Sequence, residues 1–167
     1  MPWRAPMVSS APQNSQPAAI NEFQGEHRWL SNFAPVIVVL DGACYPSVEH
    51  AYMAAKSTSI EWRLFCADHL NSAGAVKKAS KKLVLRADWH DIKVKVMYAL
   101  LTQKFAQEPY KSRLVATGNV LLSEGNRWGD TFWGVDLRRT PATGRNILGR
   151  LLMRVRCELG CGDASCR

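Results

Sequence analysis

The sequence predicts an α+β chain, predominantly helical, folded as a single domain with a small antiparallel β portion. Three observations lead there. Ser47, Ser59, Ser72 and Asp88 each stand just ahead of a stretch with helical apolar spacing, where a side-chain oxygen can accept from a first-turn amide. A β-branched run over residues 36–40 meets Asp41-Gly42, a strong hairpin-turn pair, and only residues 43–45 remain for a return strand. A chain of 167 residues with 47% hydrophobic content suffices for one buried core, and no internal repeat is visible.

Taken in order, residues 1–19 are rich in Pro, Ser, Ala and Gln and contain no acidic residue, a composition that cannot bury enough surface to fold. They read as a disordered arm, and without an apolar core they are not a secretory signal. A short strand is expected at 20–23, then a polar loop through Gly25 and His27. The hairpin delivers a helix from Ser47 that is apolar apart from Glu49, His50, Tyr52 and Lys56. Helices are expected at 60–69 and 73–82, and from Asp88 along the stripe Trp89, Ile92, Val96, Met97 and Leu100. Pro109 suits the first turn of a short helix that stops at Gly118. A strand follows at 120–123. The last helix, 145–159, turns Ile147, Leu148, Leu151, Leu152 and Val155 to the core, and 160–167 form a flexible cysteine-bearing tail.

Lys and Arg number 22 against 14 Asp and Glu, a formal charge of +8, which favours polyanionic partners: phosphorylated small molecules or nucleic acid. No stretch approaches the ~20 apolar residues of a membrane span, so no membrane partner is expected. Cys44, Cys66, Cys157, Cys161 and Cys166 are odd in number and irregular in spacing. That argues against a disulfide framework and suits a reducing compartment, cytoplasmic or, in a eukaryote, nuclear. The last three match no usual zinc spacing, His27, His50, His69 and His90 are scattered, and no Gly-x-Ser-x-Gly elbow occurs. The lysines at 77, 78, 81 and 82 read as a solvated helix face or a phosphate-backbone contact.

Four places can carry chemistry. Glu49 and Lys56 are seven residues apart, so on a helix they share a face to within about 20° and are separated by a rise of roughly 10 Å. They form an acid/base carboxylate beside an amine nucleophile, or else Glu49 only complements the helix dipole and Lys56 snorkels to water. Asn32 and Phe33 pair an amide with an aromatic that can hold a base or ribose, although Asn before a strand is also ordinary turn chemistry. The rings of Trp128, Phe132 and Trp133, in a loop with Gly129 and Asp130, either pack inward or stack on a ligand. Arg145 and Asn146 stand at a helix N-terminus, an anion site through free amides, with neither Walker nor dinucleotide spacing.

Together these pieces resemble the NADAR, or YbiA-like, family. The likeness is carried by Leu30-Ser31-Asn32-Phe33, Asp41-Gly42, and Tyr45-Pro46-Ser47-Val48-Glu49-His50-Ala51-Tyr52 with Lys56. It continues through Val96-Met97, Lys104-Phe105, Leu114, Thr117-Gly118, Trp128-Gly129 and the run from Gly144 through Asn146, Leu148 and Gly149 to Arg156. It covers about residues 21–159, leaves the arm and tail outside, and implies a single YbiA-like domain over 20–159.

The resemblance implies N-glycosidase activity on ribosylated nucleobase-like substrates. Some members cleave phosphoribosylamino-pyrimidine intermediates of riboflavin synthesis, and others remove ADP-ribose from guanine in nucleic acid. In both, the sugar carbon is bonded to an exocyclic amine. On that likeness Glu49 is the acid/base, Lys56 forms a Schiff base with the opened sugar, and Asp130 binds ribose hydroxyls or positions water. Trp128 stacks on the base or adenine. Asn32 and Asn146 hold ribose and phosphate oxygens, with Phe33, Tyr52, Gly129 and Arg145 completing the substrate contacts. No metal or cofactor is required. The charge and the basic helix favour ADP-ribosylated guanine in DNA as substrate, with ADP-ribose as product, over the riboflavin-type intermediate. Reversal of a DNA-modifying toxin, an antitoxin-like role, is a setting the family suggests, and a monomer is expected. A non-catalytic ADP-ribose-binding module is the alternative class, since it would not need Glu49 and Lys56 together.

Overall fold

A computed structural model describes residues 19–160; the remainder of the expected arm, and the tail with Cys161 and Cys166, lie outside the described residues. Strand β1 (Ala19–Ile20) opens the described chain, and a 3₁₀ segment (Gly25–Leu30) leads to the hairpin. Strands β2 (Pro35–Leu40) and β3 (Ala43–Ser47) pair antiparallel around Asp41 and Gly42, whose φ angles of 49° and 80° are the left-handed pair that such a turn demands.

The hairpin hands over directly to α1 (Val48–Ala54), every residue of which is buried. Ser47 both ends the strand and caps the helix: its Oγ accepts from the His50 amide at 3.3 Å and meets His50 Nδ1 at 2.7 Å. His50 Nε2 lies 2.8 Å from Asn71 O; because a carbonyl only accepts, Nε2 is assigned the proton and Nδ1 accepts the Ser47 hydroxyl. His50 is therefore a strut between the start of α1 and the turn that follows α2 (Ile60–Ala67). The Trp62 indole donates to Met53 O at 2.8 Å and closes the other end of α1.

Ser59 and Ser72 cap α2 and α3 (Ala73–Ala79) as the sequence predicts, but both helices end early. Asp68 turns extended and its Oδ1 accepts from Leu70 N, while α3 tightens into a 3₁₀ turn at Ser80–Lys82. Asp88 precedes α4 (Trp89–Phe105) without capping it. Its carboxylate is held by Arg86 at 2.6 and 3.0 Å, a charge-assisted pair that outcompetes a neutral amide. Helix α5 (Tyr110–Ala116) ends where Gly118 takes a φ of 55°.

Beyond the hairpin, the described residues form two-residue parallel pairs, β1 with β4 (Leu121–Leu122) and β5 (Gly125–Asn126) with β6 (Val135–Asp136), and an isolated antiparallel bridge between Asp136 and Thr143. The strands expected at 20–23 and 120–123 contract to the first of these. Helix α6 (Ile147–Gly160) closes the domain, with Leu148, Leu152 and Val155 buried and Ile147 and Leu151 half-buried at its edge. The result is one predominantly helical α+β domain in which α1 packs on the hairpin and on α2, α3 and α4.

Candidate active site

A cavity of about 300 Å³ opens beside α1. Glu49, Tyr52 and Met53 line it from the helix, and Lys56, just past the helix end, joins them. Asn32 and Phe33 supply a second wall, Lys77 of α3 and Lys93 of α4 two more, and Glu124, Trp128, Asp130 and Trp133 the last. Glu49 and Lys56, predicted from spacing alone to share a face, thus open onto the same space.

Burial sets the chemistry of both groups. Glu49 is 4% exposed, and Oε1 accepts no hydrogen bond; its nearest cation is Lys77 Nζ at 3.7 Å. Desolvation holds its carboxyl above the usual carboxylate range, with Lys77 and Lys56 pulling the other way. Lys56 is shifted in the opposite sense: burial disfavours its ammonium and lowers its pKa, Lys77 adds to the effect, and Glu49 opposes it. Its Nζ donates to Ser80 Oγ at 3.4 Å and lies 5.8 Å from the Tyr52 ring centroid. A carboxyl inclined to keep its proton and an amine inclined to lose one are suited to acid and nucleophile roles.

The Asn32 loop is stitched in from two sides. Asn32 O accepts from the Glu49 amide at 3.0 Å, and the Ser31 carbonyl accepts from Lys104 Nζ at 2.8 Å. Asn32 Nδ2 touches Met97 Sδ at 3.5 Å, while Oδ1 is buried without a partner. Phe33 lies 5.2 Å from Lys77 Nζ, and Trp128 stands 59% exposed at the cavity mouth. Asp130 lines the cavity with Oδ1 already committed to the amides of Phe132 and Trp133 at 3.0 and 2.9 Å.

Gly129, Arg145 and Asn146, expected among the substrate contacts, do not line the cavity. Gly129, at φ 86°, shapes the loop and donates to Asn126 Oδ1. Four amides leading into α6 are already engaged within the protein. Those of Arg145, Asn146, Ile147 and Leu148 donate to the carbonyls of Thr131, Gly134, Phe132 and Trp133 at 2.8–3.2 Å. Arg145 is exposed, 4.8 Å over the Phe132 ring. Asn146 accepts from Glu124 N at 3.0 Å and donates to Leu122 O at 2.9 Å, so its side chain is spent on the backbone.

Lys77, Lys93 and Glu124 line the cavity, and Lys104 stands behind it on the Ser31 carbonyl, with no place in the site expected from sequence. Lys77 belongs to the basic run read as a solvated face, yet it reaches over Phe33 toward Glu49. Glu124 carried no periodic signal; burial raises its pKa to about 7, and its Oε2 has no partner. Lys104 stands on α4 behind the Asn32 loop. It is fully buried, with its pKa lowered to about 7 by desolvation, and its place one turn after Leu100 on a buried stripe was the signal that could have found it.

Asn126, wholly buried, organises the loop that carries Trp128 and Asp130. Its Nδ2 donates to Asp130 O and Val135 O, and its Oδ1 accepts from the amides of Gly129 and Asp130, at 2.7–3.1 Å. Asn126→Ala is expected to destabilise the fold by about 2–4 kcal/mol, because four backbone groups lose their partner together. Chemical denaturation of the two proteins measures it.

Comparison with known proteins agrees with this architecture. Residues 20–160 match the NADAR domain family. A riboflavin biosynthesis protein of Vibrio vulnificus is 36% identical over 86% of this chain, but the match spans only 39% of that protein's length. N-glycosidase YbiA of Escherichia coli is 30% identical over 95% of this chain and 98% of its own. An N-glycosidase of Nostoc punctiforme is 32% identical over 78% of this chain and 84% of its own. The NMR structure of the E. coli protein YbiA superposes with a TM-score of 0.73 at 28% identity, covering 87% of each chain.

Proposed function

Because the chain belongs to the NADAR family, we propose that it is an N-glycosidase hydrolysing the bond between a ribose anomeric carbon and an exocyclic amine of a base. The observation that carries the reading is the convergence of Glu49 and Lys56, oppositely shifted by burial, on one cavity. An aminal of this kind opens when the ring oxygen is protonated and the nitrogen lone pair forms an iminium. Glu49 gives that proton, neutral Lys56 adds to the opened sugar carbon and displaces the base, and water hydrolyses the resulting Schiff base with the Glu49 carboxylate as its base. Trp128 stacks on the substrate, Asn32 Oδ1 takes a ribose hydroxyl, and Asp130 positions water.

The first substrate reading is ADP-ribose carried on the amine of guanine in DNA. Its support is a shallow groove at the cavity mouth, lined by Lys77, Lys78 and Lys81 beside Trp128, which suits phosphates and a base face. A second reading, a phosphoribosylamino-pyrimidine, is favoured by the names of relatives such as the Vibrio riboflavin biosynthesis protein. Turnover of an ADP-ribosylated guanine oligonucleotide and of the pyrimidine nucleotide, side by side, tests both. The first reading expects release of ADP-ribose with the higher kcat/KM, falling steeply as salt rises. Preference for the pyrimidine reverses the order, and tight ADP-ribose binding without turnover of either substrate leaves a binding module.

A further inference from the structure

Glu124 is the one carboxylate of the site without a task, and its setting is specific. Its backbone is clamped on both sides: the amide donates to Asn146 Oδ1 at 3.0 Å, and the carbonyl accepts from Val135 N at 2.9 Å. Gly134 fits against that carbonyl with no space for a Cβ, which would come within 2.1 Å of it. The chain is thus held rigidly around a side chain whose Oε2 is buried and hydrogen-bonded to nothing in the protein. A buried carboxyl oxygen left so is costly unless something else uses it.

Its position shows what could. A second cavity of about 230 Å³ adjoins the first, and Phe33, Lys77, Glu124 and Trp128 border both, whereas Glu49 and Lys56 border only the first. The reacting sugar carbon belongs with Glu49 and Lys56. The shared aromatic rings of Phe33 and Trp128 suit the flat base, so the bond to be broken falls at the boundary that Glu124 occupies.

We propose that Glu124 is a second catalytic acid, protonating the base nitrogen as it leaves the sugar at the junction of the two cavities. The step rests on the N-glycosidase reading above and balances within it. After Glu49 has opened the ring, Lys56 adds to the iminium carbon and its nitrogen becomes positively charged. Protonated Glu124 gives its hydrogen to the base nitrogen. The carbon–nitrogen bond to the base breaks as the Lys56 nitrogen, losing a proton to the Glu124 carboxylate, supplies the electron pair of the new imine. Glu124 ends protonated, the base leaves as a neutral amine, and the Glu49 carboxylate remains to deprotonate the water that hydrolyses the imine. Burial keeps Glu124 half-protonated near pH 7, with Glu49 and Asp130 supporting the protonated form and Lys77 and Lys104 opposing it.

The test separates base departure from imine chemistry. ADP-ribose alone presents a free aldehyde, and borohydride fixes its imine with Lys56 in a reaction that needs Glu49 but not Glu124. Glu124→Gln is expected to lose about 100-fold or more in kcat on the ADP-ribosylated guanine oligonucleotide, the scale of a lost general acid. Labelling of Lys56 by ADP-ribose stays at the wild-type level, which also shows that the variant is folded. Unchanged kcat in Glu124→Gln overturns the inference. So does an equal fall in kcat and labelling, which would make Glu124 structural. A wild-type protein that turns over neither the oligonucleotide nor the phosphoribosylamino-pyrimidine and does not label refutes the underlying reading as well, a different result from either.

Discussion

Lys56→Ala is expected to abolish covalent trapping and to lower kcat by about 10⁴-fold or more, the scale on which loss of a nucleophile is felt. The geometry makes the expectation specific, because Lys56 is the amine in the cavity whose charge burial disfavours. Lys77 and Lys93 border the same space, so the variant also tests whether a nearby amine can substitute. Borohydride treatment during turnover, followed by peptide mapping, should find the sugar on Lys56 and nowhere else. Undiminished trapping in Lys56→Ala would end the Schiff-base mechanism. The same burial has a stability consequence. A lysine whose folded pKa is depressed contributes stability at alkaline pH and loses it as pH falls through the folded value, so Lys56→Met should melt higher than the parent in mildly acidic buffer.

Glu49→Gln comes next in size, with kcat expected to fall about 10²- to 10⁴-fold. The amide fills the same volume and preserves the backbone bond from the Glu49 amide to Asn32, so the loss reads proton transfer rather than packing. Thermal melts separate the two. Because the carboxyl's folded pKa lies above its unfolded one, its contribution is complete below the unfolded value and is lost as pH rises through the folded value. Glu49→Gln should therefore melt above the parent at alkaline pH and alongside it in acid. A variant that keeps near-parental kcat would remove Glu49 from the chemistry.

How far the fold could be read followed how local each signal was. Asp41-Gly42, the Ser47 cap and the seven-residue interval from Glu49 to Lys56 lie within one short stretch, and the hairpin and α1 form as those residues dictate. The parallel pairs β1–β4 and β5–β6 join segments far apart or through an irregular loop, and two-residue strands leave no alternation to read. Arg145 and Asn146 stand outside the cavity for one reason. A helix N-terminus is an anion site only while its amides are free, and these were taken by carbonyls of a loop whose path no local pattern records. Lys77 was hidden by its lysine neighbours, and Glu124 by a polar loop in which nothing distinguishes a buried carboxylate from an exposed one.

The capture of those amides bears on how this domain can diversify. Thr131 through Gly134 are bolted to α6, and Asn126 fastens the other end of the same segment, so an insertion between them would unseat a helix. Trp128, 59% exposed, projects from this frame at the mouth of the cavity. A lineage could exchange that side chain, or an engineer graft another there, and retune which bases are accepted while the acid and amine beneath keep their alignment.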